Sequence, residues 1–181
     1  FGYPVDLDRL ESLRKKYPEI MIIHDCAHSF GAEWKGRSVQ KTGDASFFAF
    51  NISKLLTSIF GGMITTDKND LAEKLRSLRK KNIKSPGWIK SWKRRLYLIS
   101  VFPIFMDQIY GMVNRFERIG LLNRFVKYYD EKIIDMPNDY LVGMTGVEGK
   151  VGLVQLKKYN KIIVDHRNIA KFYNKLLKNI P

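Results

Sequence analysis

Lys54 and Asp25 are the residues of this chain best suited to do chemistry together. Asp25 follows the apolar run Ile20-Met21-Ile22-Ile23, and Lys54 follows a second apolar run, Ala45 to Phe50, 29 residues beyond Asp25. The first run is short and apolar on both faces, as a buried parallel strand reads. An acid at the C-terminal end of such a strand points into the crevice where α/β sheets bind ligands. A lysine after one strand and a carboxylate after another set a carbonyl-forming amine opposite a partner for a cationic ring nitrogen. Pyridoxal phosphate chemistry needs that layout: a Schiff-base lysine and an acid paired with the pyridinium. Taken singly, the residues have plainer readings, Lys54 as a solvated loop residue and Asp25 as a turn or helix cap. His24 and His28 lack a third ligand at metal spacing, so no metal site is expected, and Cys26 reads as a small buried residue. Gly61-Gly62 reads as a turn leading into a strand.

The elements that must hold these residues alternate. Asp6 to Tyr17 carries Leu7, Leu10 and Leu13 on one helical stripe, and Pro18 stops it. Strands are expected within Glu19–His24, over Ala45–Phe50 and over Gly62–Thr66. A helix follows from Asp67, with Leu71, Leu75 and Leu78 in step and Asp67 or Asn69 as its cap. Alternating strands and helices imply an α/β layered sheet. The character changes after Lys74. Lys74 to Arg95 holds ten Lys or Arg and no acid, with Trp88 and Trp92 among them. Leu96 to Met106 is apolar except for Ser100, and at eleven residues it is short of the ~20 that a helix needs to span a bilayer. Arg115 to Tyr129 is a mixed amphipathic segment, and Val147 to Leu177 reads as one long helix or two.

The 181 residues suffice for one domain or for a piece of a larger one, and 45% hydrophobic with 13% aromatic content excludes a disordered tail. A single cysteine excludes a disulfide framework and a four-cysteine zinc site, and fits a reducing compartment. The net charge of +14 is uneven: residues 1–72 hold nine basic and nine acidic side chains, and residues 73–181 hold 23 basic against nine acidic. A neutral part joined to a basic part implies two jobs. No RRM, zinc-finger or helix-turn-helix signature accompanies the charge, which argues against nucleic acid. The chain opens Phe-Gly-Tyr-Pro with no basic n-region and stops at Pro181 after a helical pattern, so both ends read as cut from a longer protein.

Several blocks in register resemble the DegT/DnrJ/EryC1/StrS family of sugar aminotransferases. They are Phe-Gly-Tyr-Pro-Val-Asp-Leu at the start, His24-Asp25-Cys26-Ala27-His28-Ser29-Phe30-Gly31-Ala32, Gly43-Asp44, Phe48-Ala49-Phe50-Asn51-Ile52-Ser53-Lys54, and Gly61-Gly62-Met63-Ile64-Thr65-Thr66-Asp67. Residues 144–179 resemble the following helix of the family around Gly152–Leu156 and Arg167–Ala170. The resemblance implies a fold-type-I transferase, part of a large domain with a mostly parallel sheet and helices on both faces, plus a helical insertion. It divides the chain into residues 1–82 of the cofactor-binding domain, a basic and apolar insertion over 83–140, and a long helix over 141–181 leading to a small domain.

By the same resemblance, Lys54 is the Schiff-base lysine and the acid/base of the proton shift, and Asp25 keeps the ring nitrogen of pyridoxal 5'-phosphate protonated. His28 falls where the family usually has a glutamine beside the ring. Ala49 replaces the serine that contacts the cofactor phosphate, leaving Ser53 or Thr57 as substitutes. Phe60 replaces a glutamate, and Leu141 and Gly143 fall at an Asn-x-Arg pair that reaches the partner subunit. The implied protein is a cytoplasmic homodimer with its site at the interface. It would move an amino group from an amino-acid donor, glutamate, to a nucleotide-linked keto sugar in polysaccharide or glycoconjugate synthesis. The cofactor-stacking aromatic and the phosphate-holding helix N-terminus would precede Phe1, so residues 1–181 alone are expected to be inactive. Two alternatives stand beside this. One is a sugar dehydratase with the same cofactor, which Lys54 opposes because such relatives typically carry histidine there. The other is a non-enzymatic, membrane-associated scaffold or regulator, favoured by Ala49, Phe60, Leu141 and Gly143 and opposed by Lys54 and Asp25. For residues 83–113 a peripheral contact with the inner face of the membrane and a helix packed on its own protein or on a dimer partner, its cations solvated, are both open.

Overall fold

The computed structural model describes residues 2–120 and 139–178. It divides into two compact units, residues 1–76 with 148–181, and residues 77–147.

The first unit opens with α1 (Leu7–Lys16), for which Asp6 is the cap: its Oδ1 accepts the N–H groups of Asp8 and Arg9. Pro18 has no N–H to continue the helix, and Tyr17 closes it on the Leu13 carbonyl. A three-stranded sheet follows in the order β1 (Ile23–Asp25), β4 (Ala45–Ala49), β5 (Gly62–Thr65). β1 runs parallel to β4, with Asp25 opposite Phe47, and β5 returns antiparallel. In this sheet the parallel pair is β1, which ends at Asp25, and β4, which precedes Lys54. Between them lies a small hairpin, β2 (Glu33–Trp34) and β3 (Arg37–Ser38), turned by Lys35 and Gly36, both at positive φ.

The apolar run before Asp25 differs from its expectation as a strand buried on both faces. Only Ile23 of that run is in β1, and Ile20, Met21 and Ile23 are exposed, while His24 on the opposite face is buried. Pairing starts where Asp44 captures the chain: the Asp44 carboxylate accepts the Ile22 N–H, and the Ile22 carbonyl accepts the N–H groups of Asp44 and Ala45. Gly43 makes that approach feasible. At φ +78° it sits in the left-handed region, and a Cβ there would lie 2.9 Å from the Ile22 oxygen.

Leu7, Cys26, Val39 and Phe48 form the core, with Phe30, Trp34 and Phe50 packed against it. Phe30 meets Phe48 edge-on at 5.3 Å, and Phe48 stacks on Phe50. Cys26 is a buried free thiol, as a small core residue should be.

α2 (Asn69–Asn82) starts without either expected acid or amide cap; Lys68 occupies the cap position, its carbonyl accepting the Ala72 N–H and its own N–H bonded to Thr66 Oγ1. In the second unit, α3 (Trp88–Val101) leads through a 3-10 turn (Phe102–Phe105) into α4 (Asp107–Arg118). The amphipathic segment expected over Arg115–Tyr129 is helical to Arg118, and its part beyond Gly120 lies outside the described residues. Leu141 and Gly143, the residues at the Asn-x-Arg positions, serve the backbone here: the Leu141 carbonyl accepts the Lys84 N–H, and the Gly143 N–H donates to the Lys84 carbonyl. The last helix, α5 (Gly146–Leu176), is continuous over 31 residues, one helix rather than two.

Candidate functional site

Within the first unit, the ends of β1 and β4 bring two sequence blocks side by side. After β1 the chain turns sharply, because the Asp25 Oδ1 accepts the Ala27 N–H and the Cys26 N–H still pairs with the Phe47 carbonyl. That turn presents His28. After β4 the chain loops through residues 50–61, and the Lys54 N–H on the Asn51 carbonyl forms its first turn. The outcome is a short polar contact across the two blocks: Lys54 Nζ lies 2.6 Å from His28 Nε2. An ammonium only donates, so in that form Nε2 accepts and the ring proton sits on Nδ1.

A cavity of about 440 Å³ opens around this pair, lined by His28, Ser53, Lys54, Phe50, Ala49 and His166 among others. Three of the four expected site residues, His28, Ser53 and Lys54, therefore meet in one place. Asp25 stands at the end of β1, exposed and outside that lining, with one carboxylate oxygen engaged by the turn it stabilises. The structure also separates the two candidate substitutes for the missing serine. Ser53 faces the cavity, whereas the Thr57 hydroxyl is committed to the loop, donating to the Phe50 carbonyl and accepting the Ile59 N–H. Phe60 has a loop role too, its carbonyl accepting the Ser58 Oγ proton.

The loop is held under strain. Ile59, a β-branched residue, adopts φ +76°, at a cost of about 1–3 kcal/mol. Its burial and the Thr57 bond oppose that cost. α5 packs over the loops on both sides of the cavity. Gly152 passes so close to Ser58 that a Cβ would lie 3.2 Å from the serine Cβ. Two turns on, Tyr159 meets Phe30 edge-on at 5.3 Å and crosses Gly31, where a Cβ would lie 1.7 Å from the phenol oxygen. Two further turns along the same face, His166 reaches the cavity. His166 is the residue that sequence reasoning passed over. Its signal was the spacing of seven that joins 152, 159 and 166 on one helix face.

Burial sets the local electrostatics. Desolvation lowers the His24 pKa and favours its neutral ring, which lies 2.9 Å from the Thr42 hydroxyl. Burial raises the Tyr159 phenol above its ordinary value. Asp44 is held below the usual carboxylate range, first by the Lys68 ammonium and then by the Ile22 N–H, with Arg14 at 2.9 Å. Among the described residues no group of three or more His, Cys, Asp or Glu stands ready for a metal. The donor set, an amine beside an imidazole with a hydroxyl nearby, fits pyridoxal phosphate better than a cation.

Comparison with known proteins gives this geometry a context. An uncharacterized protein of Methanocaldococcus jannaschii is 29% identical over 179 residues, covering 99% of this chain and 37% of that protein. The UDP-4-amino-4,6-dideoxy-N-acetyl-beta-L-altrosamine transaminase of Campylobacter jejuni is 26% identical over 180 residues, 99% of this chain and 36% of that protein. Among solved structures, the GDP-4-keto-6-deoxy-D-mannose-3-dehydratase of E. coli, with bound hydrated PLP, matches with a TM-score of 0.63 at 17% identity, covering 99% of this chain and 39% of that one. A solved aminotransferase and a solved sugar aminotransferase match over the same span, so the fold is part of that of a fold-type-I pyridoxal phosphate transferase. The chain thus spans little more than a third of the length of the proteins it matches. The sequence pattern of one family runs from residue 1 to residue 181. A match that runs from one end of the chain to the other assigns it to the DegT/DnrJ/EryC1/StrS aminotransferase family.

Proposed function

We propose that the protein containing this chain is a pyridoxal phosphate-dependent aminotransferase that moves an amino group, from glutamate, onto a nucleotide-linked keto sugar destined for polysaccharide or glycoconjugate synthesis. The observation that carries the reading is the convergence of Lys54 and His28, 2.6 Å apart, in a cavity at the end of the parallel strand pair. Family membership and the transaminase name of the Campylobacter relative support it. The protein would work in the cytoplasm, as a homodimer whose site is completed across the interface.

The cofactor, when bound, supplies an electron sink that lets a proton leave the carbon bearing nitrogen. The chain's own residues would do the rest. Lys54 would hold the cofactor through its Nζ and carry the proton from one carbon to the other. His28 would accept a hydrogen bond from Lys54 and so restrict where that amine points. Asp25 would pair with the ring nitrogen through the carboxylate oxygen its turn leaves over. Ser53, the hydroxyl that lines the cavity, is the candidate for the phosphate contact that Ala49 no longer makes.

Borohydride reduction of the intact protein with pyridoxal phosphate, followed by peptide mass spectrometry, tests the reading. A phosphopyridoxyl group on the peptide containing Lys54, absent in Lys54→Ala, is expected. A folded protein with no adduct would favour the scaffold reading, toward which Ala49 and Phe60 point. A second enzymatic reading, sugar dehydration, draws on the E. coli dehydratase neighbour. Product analysis with a keto sugar nucleotide separates the two, because amination adds nitrogen to the sugar and dehydration removes a hydroxyl.

A further inference from the structure

α3 is built inside out. A helix on a water-facing surface hides its apolar stripe and shows its charges. Here the half-buried face carries Lys90 and Arg94, one turn apart, and both reach Asp139, at 3.1 and 3.5 Å. Lys90 Nζ also donates to the Val142 carbonyl. The outward face carries Trp88, Trp92, Leu96 and Ile99, and Phe102 of the following turn extends the stripe; these five side chains are between 55% and 75% exposed. Their spacing of four, four, three and three places them on one side of the helix. A continuous apolar stripe held toward solvent by ion pairs beneath it marks an interaction surface.

Charge identifies what the stripe meets. From Ser77 to Met106 there are eight Lys or Arg and no acid. Lys90 and Arg94 are engaged by Asp139, which leaves Arg79, Lys80, Lys81, Lys84, Lys93 and Arg95, all exposed. The Arg95 guanidinium lies over the Trp92 ring at 5.7 Å, so an aromatic body and a cation are presented together at the rim of the stripe. Tryptophan beside long basic side chains is the composition of a segment lying at a lipid–water interface. A hydrophobic protein partner would match the stripe without accounting for a rim of one sign. α3 by itself is too short to cross, at 14 residues or about 21 Å against ~30 Å of hydrocarbon; only together with α4, across a bend of 105°, does it reach the length and apolarity of a span. No single helix among the described residues is long and apolar enough to span.

We propose that the outward face of α3, from Trp88 to Phe102, lies in the interface of an anionic lipid bilayer, its tryptophans and aliphatic side chains among the upper acyl chains and its basic rim against the headgroups.

Flotation of the intact protein with vesicles provides the test. Vesicles of phosphatidylcholine with phosphatidylglycerol should carry the protein up the gradient, and phosphatidylcholine alone should not. Each cation near an anionic surface strengthens binding about fivefold, so Lys93→Glu with Arg95→Glu should weaken it at least tenfold. Trp88→Ser with Trp92→Ser should weaken it comparably and leave a residue of binding that salt removes. All four side chains are exposed, so unchanged circular dichroism and melting should accompany the loss. No flotation with anionic vesicles overturns the proposal, as does equal flotation with neutral ones. Binding that survives both pairs of substitutions removes it from this face. A change of oligomeric state in the tryptophan variant, without vesicle binding by the parent, makes the stripe a contact between copies instead.

Discussion

In α1 the residue turned inward is Leu7, and the exposed carboxylate of Asp8 meets Lys35 and Arg37 of the hairpin at the surface. In α3 the arrangement is reversed: cations are held inward on Asp139 while two tryptophans face out. Charge divides along the chain rather than between the two units. Residues 1–72 are neutral and surround a small aromatic core that supports a polar cavity; the basic excess falls entirely in residues 73–181. The first unit also exposes apolar side chains, Met21, Ile23 and Leu153 among them, but its cavity is built over a buried core of Leu7, Cys26, Val39 and Phe48. A region that keeps its ion pairs inside and its apolar groups outside is adapted to a neighbour less polar than water.

Substitutions can break that comparison or sharpen it. The largest effect is expected at Lys54. Lys54→Ala should lower amination by about 10³-fold or more and abolish the borohydride adduct, with little change in melting. If activity survives, the first region has lost its claim to chemistry. Next is Phe48→Ala, which empties the centre of the aromatic core and should cost about 3–5 kcal/mol in denaturant unfolding.

Asp44→Asn ranks below it, at about 2–4 kcal/mol, because Arg14, Lys68 and the Ile22 N–H converge on that buried carboxylate. Its pH signature follows from the lowered pKa. The stabilisation is complete above the ordinary carboxylate pKa of ~3.9 and is lost as pH falls through the lowered folded-state value. Melting temperature against pH should therefore fall more steeply in acid for the parent than for Asp44→Asn. The smallest effect belongs to the other region: Ile99→Ser on the outward face of α3 should stay within about 0.5 kcal/mol. A destabilisation of several kcal/mol there would mean that the stripe is packed within the protein, and the contrast between the regions would collapse.

Part of the candidate site was legible in the sequence. The block from His24 to Ala32, the lysine after the second apolar run and the paired glycines point to their chemistry by residue type and order, and types do not change on folding. The hairpin at Lys35-Gly36 escaped notice because its turn lacks the Asn-Gly or Asp-Gly pair that usually announces one. The inward placement of Lys90 and Arg94 was hidden for another reason: their partner Asp139 lies 45 residues beyond Arg94, and no local periodicity reports so distant a carboxylate.

Sequence alone determined the division of charge and the placing of an acid and a lysine after successive apolar runs, because each rests on local pattern. Tertiary structure decided which of these residues meet. It gave His28 to Lys54, put Ser53 rather than Thr57 on the cavity, and brought His166 in along the face of α5 that already carries Gly152 and Tyr159. It also decided that the run before Asp25 is exposed at Ile20, Met21 and Ile23 and that the tryptophans of α3 face outward. The physical reason is common to all of these. Burial and hydrogen-bond partnership depend on what packs against a residue, and in this chain those neighbours come from distant segments.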